Sequence, residues 1–137
     1  MNLTVKVGLV RHFRVKHAYP AKLLVTPDEV AEWFAGYDDA DIEYGHVDLS
    51  GGDWQHCFCS DLPRAVKTAR AIFPGEIIIL KDLREIEPYP FRGNRIKLPF
   101  LVWAVLVRLV WYFKSHPNVE SRRAVRERVR RVVDRVL

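Results

Sequence analysis

Apolar and polar positions change period several times along the chain, and each change marks an element. The apolar run Val5 to Val10 reads as a buried strand that ends on the dipeptide Arg11-His12. A loop rich in basic and aromatic residues, containing Pro20, follows to Val25. Thr26-Pro27-Asp28-Glu29 predicts a helix start: a capping hydroxyl, proline at the first helical position and carboxylates in the positive first turn. That helix is expected to run to Phe34 or Ala35, with Gly36 ending it. Residues 38–54 hold six acidic side chains together with Gly45, Gly51 and Gly52, and read mostly as loop.

Gln55 to Cys59 predicts a second strand, Leu62 to Ile72 a second helix, and Pro74-Gly75 a turn before a third strand, Glu76 to Leu80. Strand and helix in alternation imply parallel pairing. Between Pro88 and Pro99, three prolines with Arg92, Gly93 and Asn94 mark a long loop or insertion. Pro99 to Phe113 is nearly all apolar, with Arg108 inside it. It is shorter than the roughly 20 residues that span a bilayer, and a helix apolar all round is usually buried. It is therefore expected to pack in the core or cover the active site. Pro117 breaks the chain before a last helix that begins near residues 119–122, where Val125, Val129, Val132, Val133 and Val136 recur at helical spacing and leave the arginines on a solvated face.

Composition adds bounds. At 137 residues, with 49% apolar and 12% aromatic content, the chain suits one domain with material for a core. The net charge of +5 has an uneven source: residues 1–113 hold 14 basic and 14 acidic side chains, residues 114–137 hold 8 and 3. Seven arginines between Arg122 and Arg135 could suggest nucleic acid, but no aromatic interleaving or recognition motif accompanies them, so no nucleic-acid partner is expected. Cys57 and Cys59, two apart in a strand, share one face of the sheet and are not placed to bridge each other. Free thiols in a reducing compartment are expected, and the N-terminus lacks the pattern of a signal peptide, so the expected location is the cytoplasm.

A histidine just beyond the C-terminal end of a strand lies where open α/β sheets place their ligands. A second block, Cys57-Phe58-Cys59-Ser60-Asp61-Leu62-Pro63-Arg64-Ala65-Val66-Lys67-Thr68-Ala69, runs from strand into helix, and a third, Leu83-Arg84-Glu85, follows the third strand. In this order and spacing the blocks resemble the histidine phosphatase superfamily, the phosphoglycerate-mutase-like proteins. Its marks are an Arg-His-Gly start, a Ser-x-Leu-x-Arg-Ala-x-x-Thr-Ala block and a Leu-x-Glu block. The resemblance implies an α/β three-layer sandwich with a mostly parallel sheet. It also implies a single domain over 1–137 with an apolar helical insertion at about 88–116. Phe13 stands where a glycine usually follows the histidine, and Arg14-Val15 where a Glu/Gln-Thr pair is common. The family's second active-site histidine, at the end of a later strand, has no counterpart before Leu137, so the fold is expected to be C-terminally incomplete. A homodimer that completes the sheet or buries the apolar helix would then be expected.

The same resemblance assigns roles. A neutral imidazole can attack phosphorus and form a phosphohistidine, which makes His12 the nucleophile. Guanidinium forks match the charge of a transferring phosphoryl group, which makes Arg11 and Arg64 the substrate-binding clamp. A carboxyl group must protonate the leaving oxygen; Glu85 matches the family's acid position, with Glu87 as fallback and Asp61 read as a helix-end residue. No metal or other cofactor is required. The chain is thus expected to hydrolyse a small phosphorylated substrate, a phosphomonoester; the alternative is a noncatalytic shortened relative that binds a phosphorylated ligand or assembles through its apolar helix. His17, His46, His56 and His116 lack motif context and read as surface or packing residues.

Overall fold

The computed structural model describes residues 3–87, 91, 93–113 and 119–137. Four helices and two strands alternate in it: α1 (Pro27–Asp39), β1 (Cys57–Cys59), α2 (Pro63–Ile72), β2 (Ile77–Ile79), α3 (Phe100–Phe113) and α4 (Arg122–Val136), with a 3-10 turn at Lys81–Leu83. The strands β1 and β2 pair in parallel, Cys57 opposite Ile77 and Cys59 opposite Ile79, with α2 as the connection between them. This is a mixed α/β fold with a small parallel sheet. Backbone contacts gather the chain into two compact units. The first comprises residues up to Lys16, Asp41–Arg84 and Arg128–Leu137; the second comprises His17–Ala40 and Glu85–Glu127. The apolar segment near 88–116 falls in the second unit, although residues 88–90, 92 and 114–118, with Pro117 and His116 among them, lie outside the described residues.

In the first unit both strands form within two residues of their expected positions, because apolar β-branched or aromatic runs there are bounded by turn residues. The strand expected over Val5 to Val10 does not form. Leu3, Val5, Val7, Leu9 and Val10 are all exposed, Leu9 at 96%, and among the described residues no strand precedes β1. A strand exists only through a ladder with a neighbour, and β1 and β2 bond each other instead. The segment is backed by a side chain: the Trp54 ring lies so close to Gly8 that a Cβ there would meet it at 2.9 Å, and the Lys6 ammonium sits 5.6 Å from the same ring. Farther on, Val15 and Ile42 form an antiparallel bridge, Lys16 N–H donating to Asp41 O and Glu43 N–H to Arg14 O, each at 2.7 Å. Both apolar side chains of that bridge are buried.

α1 belongs to the second unit and starts as its sequence dictates. Glu29 N–H donates to Thr26 Oγ1 at 3.3 Å, and the Glu29 carboxylate accepts from Thr26 N–H at 2.8 Å, a complete capping box. Thr26→Ala is expected to cost about 1 kcal/mol, read as a shift in the denaturant midpoint at constant slope. The helix does not stop at Gly36 but continues to Asp39. Gly36 serves packing: the His17 ring lies against it, and a Cβ would meet His17 Cε1 at 2.9 Å. His17 also packs on Trp33 at 5.0 Å between centroids, which makes it a packing histidine.

α3 buries one stripe, Trp103 and Val107, and packs against α1 and the bridge between Val25 and Leu98. Leu101, Val105, Leu109, Tyr112 and Phe113 are exposed, so α3 packs in the core along one stripe only. A fourteen-residue cylinder with one packed neighbour can cover only one side. No helix among the described residues is long and apolar enough to cross a membrane. In α4 the arginines do more than face solvent. The Arg128 guanidinium donates to the carbonyls of Asp82 and Arg84, each at 2.6 Å, and Arg131 pairs with the Asp82 carboxylate at 3.1 Å. The 3-10 turn thereby receives the C-terminal part of the helix through ionic groups, since no residue of α4 is fully buried.

Candidate active site on the His12 loop

His12 is half-buried, and its Nδ1 lies 2.6 Å from the carbonyl oxygen of Phe13. A carbonyl only accepts, so this hydrogen bond requires a proton on Nδ1. The Phe13 N–H donates to Thr68 Oγ1 at 2.9 Å, and the Thr68 hydroxyl donates to Arg64 O at 2.8 Å. Residue 13 is thus held on both sides, by His12 at its carbonyl and by Thr68 at its amide. The bridge between Val15 and Ile42 fixes the loop two residues later.

The α2 side of the site is built from the second sequence block. Ser60, Arg64 and Thr68 are all buried polar residues, the last two one helical turn apart on one face of α2. Pro63 occupies the first turn, where its missing N–H is no loss, and Leu62 caps the helix without a side-chain hydrogen bond. Arg64 lies in that first turn, next to the positive end of the helix dipole, where anions are favoured. His12 and Arg64 are therefore brought into one hydrogen-bonded unit through Phe13 and Thr68. Arg11 is exposed on the segment just before His12. Glu85 and Glu87 are exposed residues of the second unit, so the cluster around His12 consists of first-unit residues.

Thr68 had a place in the motif but no role in the sequence reading; its spacing of four from Arg64 was the available signal. A match to the family model described as histidine phosphatase superfamily, branch 1, extends over residues 45–137. The chain belongs to the histidine phosphatase superfamily. No curated protein and no solved structure matched it significantly. The matched stretch takes in the block from Ser60 to Ala69 and Glu85, whereas Arg11, His12 and Phe13 precede it. Membership points to phosphatase or mutase chemistry at a histidine.

Two further features flank the second sequence block in this member of the histidine phosphatase superfamily. Cys57 and Cys59 are free, and burial pushes both thiols up from their ordinary range, which keeps them protonated and poorly nucleophilic. Asp61 is an ion-pair residue and does not cap α2: Arg84 donates to it in a bidentate fork, Nε to Oδ1 at 2.5 Å and Nη2 to Oδ2 at 2.8 Å. That fork ties the entry of α2 to the end of the 3-10 turn and holds the Asp61 carboxyl below the usual carboxylate range. Because the folded value is depressed, the pair's contribution is fully present above the unfolded aspartate value of about 3.9. It is lost as pH falls through the folded value. Arg84→Gln is expected to return Asp61 towards the ordinary value, measured by a carboxyl carbon NMR titration; an unmoved midpoint would show that the fork is not what lowers it. Among the described residues no group of three or more His, Cys, Asp or Glu side chains is gathered to hold a metal ion.

Proposed function

We propose that this histidine phosphatase hydrolyses phosphomonoesters through a phosphohistidine on His12. The observation that carries the reading is the chain from the His12 loop through Thr68 to the Arg64 backbone, with Nδ1 turned to the Phe13 carbonyl. In the first step Nε2 attacks phosphorus and the bond from phosphorus to the ester oxygen breaks, its electron pair leaving with that oxygen. The departing oxygen needs a proton, the role that the family resemblance assigns to Glu85. Water then attacks the phosphohistidine, Glu85 takes the water's proton, and phosphate leaves as His12 is restored. Arg11 and Arg64 neutralise charge on the equatorial oxygens throughout, as guanidinium geometry suits. The accompanying fold is a three-layer sandwich grown from the β1–β2 pair. Turnover of a generic aryl phosphate without added metal, in the parent and in His12→Ala, tests this reading.

A second reading is a noncatalytic member that binds a phosphorylated ligand. It is favoured by one observation, that the family match begins after His12. Equal binding of an aryl phosphate by parent and His12→Ala, with turnover in neither, would support it over hydrolysis.

A further inference from the structure

We infer that Thr68 is a positioning residue for His12, its hydroxyl setting the tautomer and direction of the imidazole through the Phe13 backbone. The chemical meaning of this inference rests on the phosphohistidine reading, while its structural content does not.

Thr68 is 4% exposed, so its hydroxyl has protein partners in place of water. Donation to Arg64 O fixes where the hydroxyl proton points, which turns a lone pair towards the Phe13 N–H. Holding that amide fixes the peptide that joins His12 to Phe13, while the bridge between Val15 and Ile42 holds the chain just after it, so the Phe13 carbonyl is confined between two fixed points. The carbonyl in turn accepts from Nδ1–H at 2.6 Å, so that in the neutral ring Nε2 is the nitrogen left to attack. Two ordinary hydrogen bonds in series therefore translate the position of α2 into the protonation pattern of the histidine. Phe13 gives this arrangement a second support, since its ring packs edge-on to Tyr44 with centroids 6.5 Å apart. The family resemblance places a glycine at that position. A side chain there restricts the backbone, and the restriction is useful only if the amide is held in one direction.

Thr68→Val keeps the shape and β-branch of the side chain but leaves the Phe13 amide and the Arg64 carbonyl without that partner. Thr68→Ser restores the hydroxyl. In the unmodified chain the Phe13 amide is expected to exchange with solvent at least about 100-fold more slowly than an unprotected amide. In Thr68→Val it is expected to exchange at least about 10-fold faster than in the parent, while the Lys16 and Glu43 amides keep their protection. Ring nitrogen shifts of His12 are expected to report a proton on Nδ1 in the parent and in Thr68→Ser, and a mixture of tautomers in Thr68→Val. If the chain turns over aryl phosphate, kcat should fall about 10- to 100-fold in Thr68→Val with KM within about threefold of the parent, and Thr68→Ser should recover it.

An unprotected Phe13 amide in the parent overturns the inference without any substitution, and so does an unchanged His12 tautomer in Thr68→Val. Should Thr68→Val not fold, Thr68→Ala is read by the same exchange and shift measurements, and the parent amide still decides. Equal turnover in parent and His12→Ala would instead defeat the phosphohistidine reading, and the exchange and tautomer results would still stand for or against Thr68.

Discussion

His12→Ala is expected to lower aryl phosphate turnover by at least about 10³-fold, the scale on which removal of a covalent nucleophile acts. The imidazole is the only protein group in the proposed route that forms a bond to phosphorus. Its loss should leave the Phe13 amide in place, because that amide is held independently by Thr68. Arg64 stays buried in the first turn of α2, so affinity for inorganic phosphate should change little. The expected signature is therefore a collapse of kcat with phosphate inhibition retained. A variant that kept a tenth or more of the parent rate would show that chemistry proceeds without a bond to His12. A variant that lost phosphate inhibition together with turnover would mean that the histidine contributes to binding as well.

Trp103→Ala carries the largest expected effect on stability, about 3–5 kcal/mol for the second unit. Trp103 is 4% exposed and packs with Val25 and Val30 at the centre of that unit's apolar cluster, its ring 5.6 Å from that of Phe91. Its indole N–H also donates to Val25 O at 2.9 Å, on a backbone that exchanges hydrogen bonds with Leu98 at 2.9 and 3.1 Å. Truncation removes both the ring and the donor, so a cavity and a weakened bridge arise together. Faster exchange of the Val25 and Leu98 amides, with a lower denaturant midpoint, is the expected result. A change below about 1 kcal/mol would place the core of this unit elsewhere.

Much of this was legible in the chain because the deciding partners are close in sequence. Thr26 and Glu29 cap each other across three residues, and the α1 start was read correctly from those four letters. The strands β1 and β2 and the helix α2 between them follow from short apolar runs, Pro63 and the Pro74-Gly75 turn. Misreadings arose where the partner is distant. Gly36 looks like a helix stop until His17, nineteen positions earlier, is found resting on it. Val5 to Val10 has the composition of a buried strand, but a ladder is a property of two segments, and its described neighbour is the Trp54 ring. Arg128 and Arg131 sit opposite the valine stripe, which suggested solvent, yet the carbonyls and carboxylate of the Asp82 turn receive them. At the site, the positions of His12 and Arg64 could be proposed from motif spacing alone. What joins them could not, because the donor is the Phe13 backbone, whose chemistry is the same for any side chain at that position.

The most direct test of the central claim is to trap the covalent intermediate. The chain is mixed with an aryl phosphate and quenched in alkali, where phosphohistidine survives, and the peptide containing His12 is examined for bound phosphate by mass spectrometry. The account predicts an acid-labile phosphoryl group on His12 in the parent, formed as fast as the first turnover and missing from His12→Ala. Phosphate release in the parent with no label on that peptide, or neither turnover nor label, would contradict it.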